Sequence, residues 1–158
     1  MFKWLLYTAT LVFAVYWVSN FLLWFPWSYN ALLGITLILT ASPVLWAYAM
    51  FQSLKTFPKK NLFTGAVWNA VVFVLLAAIL DYFFFAVIRG AKEELYHPTT
   101  FYGYGFVIVL PFIFAVAFKK KINQLKKEIT TVDFLKAGAV GFICLLALII
   151  IIRWKIEI

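Results

Sequence analysis

A single carboxylate, Asp81, interrupts the apolar run AAILDYFFFAVIRG between Ala77 and Gly90. In such a setting an aspartate can act in three ways. It can hydrogen-bond a neighbouring helix and fix its register. It can line a vestibule reached by water. It can also serve as a proton or cation site on a transport path. The residues alone leave all three open. Asp81 falls about six residues past the middle of its apolar segment, or about 9 Å from the midplane at 1.5 Å per residue. Ser19 and Asn20 in the first apolar run reach the same depth, as do Tyr102 and Tyr104, beside His97, at the start of the fourth. The expected constellation is Asp81 with Asn20 and with Tyr102 or Tyr104. Arg89 is eight residues further along the same helix, about 12 Å away and off to one side, too far for direct pairing.

Other groups point away from chemistry. TTFYGYGF, Thr99 to Phe106, contains Gly103-Tyr104-Gly105, but a potassium filter needs TVGYG, whose backbone carbonyls replace the hydration shell. Phe101 and Tyr102 stand where Thr and Val belong, and the stretch before them, Ala91 to Pro98, is charged and polar rather than a pore helix. The segment reads as a helix start, with Thr99 or Thr100 as N-cap after Pro98. His97 lies in a loop and Cys144 in an apolar run, so neither a Ser-His-Asp nor a Cys-His set assembles. One histidine and one cysteine argue against a His/Cys metal site. No Gly-rich phosphate loop occurs. The reading is a non-enzymatic protein with no cofactor. A lipid-processing enzyme using Asp81 and His97 is the enzymatic alternative. Glu93 and Glu94, among Arg89 and Lys92, read as a solvated, charge-balanced hairpin.

KKKINQLKKEITTVDFLK, Lys119 to Lys136, is the informative polar stretch. Ile122, Leu125, Ile129 and Val132 recur at three- and four-residue steps with lysines between them. That pattern predicts an amphipathic helix on the inner leaflet or extending the fourth span. Thr130 with Asp133 reads as a capping box opening the next helix. Lys119, Lys120, Lys121, Lys126 and Lys127 are the expected contacts to anionic lipid, each contributing about 1 kcal/mol near a charged surface.

The elements that must position these groups follow from composition. Of 158 residues, 66% are hydrophobic and 13% charged, whereas a soluble domain is about half apolar and a quarter charged. A mean hydropathy of +0.98 says the same. The expected solvent is a bilayer and the expected fold an all-α, single-domain helix bundle over residues 1–158. A span needs about 20 apolar residues. Five segments are predicted: Trp4 to Phe25, ended by Pro26; Asn30 to Phe51; Leu62 to Ile88; Phe101 to Phe118; and roughly Phe134 to Ile152, with a basic linker over 119–133. Four spans is the alternative, because the last apolar run is short. Pro43 and Pro111 fall mid-span, where Thr40 and Ser42 are placed to satisfy carbonyls freed around Pro43. Asn69 is expected to face a neighbouring helix. Lys3 followed by an apolar run to Phe25 reads as an uncleaved signal anchor.

The net charge of +8 would suggest nucleic acid in a soluble protein, but no basic recognition module is present. The lysines flank apolar runs instead. With the amino terminus inside, ten of the cationic residues fall on inner segments, against Arg89, Lys92, Arg153 and Lys155 outside. The positive-inside rule then gives N-in and C-out.

The size, the uncut amino-terminal anchor, and the Asp81 helix followed by HPTTFYGYG and a proline-containing span resemble the small uncharacterised multi-span proteins of bacterial inner membranes. That resemblance implies an inner-membrane protein and carries no activity across. Small multidrug exporters are similar in scale and depend on a membrane carboxylate, but theirs lies in the first span, where this chain has none. The expected role is therefore a subunit or partner of a larger membrane assembly. The alternative is a small homo-oligomeric transporter or channel, proton- or cation-coupled through Asp81.

Overall fold

The structure, a computed structural model, describes residues 1–155, with side chains through Arg153. Lys155, counted above toward the outer charges, therefore has its side chain outside the described ones. The chain is helical with no strand among the described residues: α1 (Phe2–Trp27), α2 (Ala31–Lys55), α3 (Leu62–Asp81) continuing as a π-helical stretch Tyr82–Ile88, a 3₁₀ turn Lys92–Tyr96, α4 (Pro98–Ala117), a short α5 (Lys119–Gln124) and α6 (Thr131–Lys155). Five of these helices are long and apolar enough to cross a membrane.

Local chemistry sets the ends. Asn30 caps α2 by accepting from Leu32 N and Leu33 N, at 2.9 and 3.3 Å. Asn61 caps α3 in the same way, at 3.0 and 3.4 Å. Thr130 and Asp133 form the capping box ahead of α6: Asp133 accepts from Thr130 N at 3.0 Å and Thr130 Oγ1 accepts from Asp133 N at 3.3 Å. Three ends depart from the sequence reading. Pro26 does not stop α1; it sits inside the last turn, where a missing N–H forfeits one bond only. α4 is capped by His97 rather than by Thr99 or Thr100, because Pro98 takes the first helical position, for which its fixed φ and missing donor suit it. The amphipathic helix expected after α4 ends at Gln124. Beyond it the chain is irregular through Thr130, so helical spacing no longer governs its faces: Ile122 and Ile129 are buried while Leu125 and Val132 are exposed.

Pairwise contacts fix the topology. Thr8 meets Ser53 and Ser19 meets Ser42, so α1 and α2 run antiparallel. The ring pairs Tyr7–Phe134 and Phe13–Phe142 make α1 and α6 parallel. Trp4–Phe57, just ahead of α3, with Trp17–Phe84, just past its end, sets α3 parallel to α1, and Phe63–Phe112 with Asp81–Tyr104 sets α4 antiparallel to α3. The spans therefore alternate in direction. α1 is the central helix: half of its apolar window is buried within the bundle, against 11–22% for the others.

Lipid is as apolar as a protein core, so close packing and hydrogen bonds, rather than hydrophobic burial, hold such helices together. Both are present. Gly34 brings the α2 backbone onto α1, where an added Cβ would lie 2.5 Å from Leu23 O. Gly141 brings α6 onto α1, where a Cβ would meet the Phe13 ring at 2.6 Å. Thr8 and Ser53 hydroxyls share a buried bond of 2.7 Å, Trp4 Nε1 donates to Ser53 O at 2.9 Å, and Ser42 donates to Ser19 at 2.8 Å. Ser42 is thus committed between helices and Thr40 donates to Thr36 O, so neither serves a carbonyl freed by Pro43, over which α2 continues unbroken. Asn69 is fully buried; its amide donates to Gly65 O of its own helix at 2.8 Å.

Candidate functional site

Asp81 is the last α-helical residue of α3, and the wider π-helical turn begins at the next residue. Arg89 N reaches back five residues to Phe84 O at 2.9 Å. Such i→i+5 insertions are rare and cluster at functional sites. Here the stretch puts Phe84 fully into the core, against Trp17 and Trp24.

Two tyrosines from two other helices close on the carboxylate. Tyr16 Oη, on α1, donates to Oδ1 at 2.7 Å. Tyr104 Oη, on α4, donates to Oδ2 at 2.6 Å. Both lengths suit O–H donation to an ionised carboxylate. Each oxygen thus has its own donor, and the three helices α1, α3 and α4 meet at one side chain. Tyr16 is buried at 4% exposure, while Asp81 and Tyr104 are half-buried. The arrangement can lock helix register. It can also hold a proton, since a protonated Asp81 would donate to one tyrosine oxygen and accept from the other.

The structure brings Asp81 and Tyr104 together and places the other two expected partners elsewhere. Asn20 lies one turn from Tyr16, and its amide donates to the Tyr16 carbonyl at 3.1 Å. It braces the helix that carries Tyr16 and makes no bond to Asp81. Tyr102 is two residues from Tyr104, so it falls on the opposite face of α4, where it is 75% exposed. Tyr16 is the partner the sequence reading missed. Its depth is one turn from Asn20, and a tyrosine carries its hydroxyl far enough to bridge that turn. Ser19, at the same depth, bonds Ser42.

The charged ends are also tied down. Arg89 pairs with Glu94 and stacks over the Trp24 ring, 3.9 Å from its centroid. His97 Nδ1 lies 2.8 Å from Thr99 Oγ1 at the α4 cap. Lys119, Lys120 and Lys121 are exposed on α5. Lys126 Nζ donates to Lys59 O at 3.0 Å, and Lys127 pairs with Asp133 at 2.7 Å. The connector is therefore strapped to the α2–α3 loop and to the start of α6. Among the described residues no group of three or more His, Cys, Asp or Glu could hold a metal ion. Comparison with protein-family models, curated proteins and solved structures finds no match to this chain.

Proposed function

We propose that this chain is a non-enzymatic multi-pass protein of a bacterial inner membrane that works as a subunit or partner of a larger membrane assembly. The observation that carries this reading is the saturation of Asp81. A carboxylate whose two oxygens are each committed to a tyrosine of a different helix is built to hold helices in register. The clamp gathers α1, α3 and α4, while only 11% of the apolar windows of α2 and α6 is buried. Those two helices offer the surfaces on which partner helices would pack.

The proposed orientation is N-in and C-out. It rests on the lysines gathered where α1 begins, between α2 and α3, and between α4 and α6. In intact cells, with Cys144 replaced by serine, a membrane-impermeant maleimide should label Lys92→Cys and leave Lys120→Cys untouched. The reverse pattern overturns the orientation.

A second reading, a small oligomeric proton- or cation-coupled transporter, draws support from the π-helical turn beside Asp81. Asp81→Asn separates the two. The amide can keep both contacts, its oxygen accepting from one tyrosine and its NH₂ donating to the other, but it cannot exchange a proton at neutral pH. On the assembly reading, the variant co-purifies from native membranes with the same partners as the wild type, and proteoliposomes under a pH gradient show no flux that depends on residue 81. A proton flux present in the wild type and abolished in Asp81→Asn overturns the assembly role in favour of transport.

A further inference from the structure

The rim of the bundle where α1 begins and α2 ends contains an open cleft of about 490 Å³. Three chain segments that are distant in sequence supply its cations: Lys3 from the first turn of α1, Lys55 from the last residue of α2, and Lys126 with Lys127 from the connector before α6. Its apolar lining is Trp4, Phe57 and Ile129, all buried. Trp4 and Phe57 pack edge to face with centroids 5.0 Å apart. The indole N–H of Trp4 is committed to Ser53 O, and the hydroxyl of Thr56 to Gln52 O and Ser53 O, at 2.9 and 3.0 Å. The inner lining is thus apolar with its polar groups already satisfied; Lys126 and Lys127 are partly engaged by Lys59 O and Asp133, and Lys3 and Lys55 supply the ammonium groups with no hydrogen-bonded partner among the described residues.

Two carboxylates oppose these charges. Glu128 lines the cleft, and Asp133 is engaged by Lys127. Among the described residues no carboxylate pairs with Lys3, Lys55 or Lys126. Like charges gathered in one concavity repel, and an anion seated among them relieves the repulsion.

We propose that this cleft binds the phosphate headgroup of an anionic phospholipid in the adjoining leaflet. Position argues for a lipid as the source of the phosphate. The cleft lies at the ends of α1 and α2 and beside the start of α6, at the height where a bilayer places its headgroups. Its lining is divided to match: ammonium groups for the phosphate, and the exposed Met1 and Pro58 at its edge for the glycerol and first methylenes, over a floor packed by Trp4 and Phe57. The site draws only Lys126 and Lys127 from the connector, adds Lys3 and Lys55, and leaves Lys119, Lys120 and Lys121 outside. It rests on the membrane placement of the bundle and is independent of both the assembly role and the choice of orientation.

Native mass spectrometry of the full chain in detergent tests it, with phosphatidylglycerol and phosphatidylcholine of identical acyl chains as probes. Phosphatidylglycerol should bind about tenfold or more tightly than phosphatidylcholine. The double variant Lys3→Gln with Lys55→Gln should lose about tenfold of that affinity. Lys119→Gln, Lys120→Gln and Lys121→Gln together remove more charge and should change it less than about twofold. Lys3→Gln alone, at an exposed position, should weaken binding several-fold and serves if the double variant fails to fold; unaltered binding in it overturns the proposal. Equal binding of the two lipids overturns it as well. So does an equal loss in the α5 triple variant, which would mean diffuse attraction. Displacement of phosphatidylglycerol by excess inorganic phosphate would identify a free-anion site and overturn the lipid assignment.

Discussion

Gly34→Val should deplete the folded bundle. Gly34 faces α1 four residues after the turn that joins the two helices, and an added Cβ would sit 2.5 Å from Leu23 O and 3.0 Å from Trp27 N. These are backbone atoms of a regular helix and cannot rotate aside. The hairpin must open instead, and the Ser42–Ser19 bond lies about two turns further along the same interface. Overpacking usually costs about 1–3 kcal/mol. A rigid obstacle next to a tight turn places Gly34→Val at the upper end, about 3 kcal/mol, a large share of a typical stability of about 5–15 kcal/mol. Gly103→Ala and Gly105→Ala are the controls, because a Cβ at either position meets nothing within 4 Å. Unfolding in mixed detergent, followed by tryptophan fluorescence, should show a large drop in midpoint for Gly34→Val and none for the controls. A Gly34→Val variant as stable as the wild type would mean that α1 and α2 do not approach as closely as described.

The second large effect belongs to Asp81→Ala. Truncation removes the acceptor for two tyrosine hydroxyls at once. A stranded buried hydroxyl costs about 1–3 kcal/mol in general. In bilayers the figure is smaller, averaging about 0.6 and reaching about 1.7 kcal/mol, because unfolded helices still find partners in the membrane. The expected loss is about 2 kcal/mol, with Asp81→Asn close to wild type since both contacts can be remade. Tyr16→Phe combined with Asp81→Ala should be less damaging than the sum of the two by about 1 kcal/mol. Strict additivity would mean the Tyr16 bond contributes nothing. Tyr104→Phe is expected to cost less than Tyr16→Phe, because Tyr104 is the more exposed of the two.

The same residues show how much of this could be read in advance. Five spans follow from run length, because a bilayer demands about 20 apolar residues whatever the neighbours are. Helix ends were less legible, because they depend on which group reaches an orphan N–H. The Thr130–Asp133 box is local and visible in sequence; Asn30, read only as the start of the second span, caps it; His97 displaced Thr99 through the preference of the adjacent proline. The connector misled because Ile122, Leu125, Ile129 and Val132 keep helical spacing although Lys126 and Lys127 are strapped to different elements. Asp81 stood out as a lone carboxylate among apolar neighbours, and depth pointed to Tyr102 or Tyr104 without choosing between them; the face of α4 decides for Tyr104. Tyr16 was hidden because it shares a face of α1 with Asn20, one turn away, so choosing between them requires the axial shift of α1 against α3, which is a property of packing and leaves no mark on either segment alone.

The pairing of α1 with α6 has a consequence for biogenesis. Gly138 and Gly141 seat against Thr10, Phe13 and Ala14, so α1 acquires one of its neighbours only when α6, four spans later in the chain, is synthesised. The α1–α6 contact can therefore form only after α2 to α4 have been made, and until then α1 lacks its cover on that side.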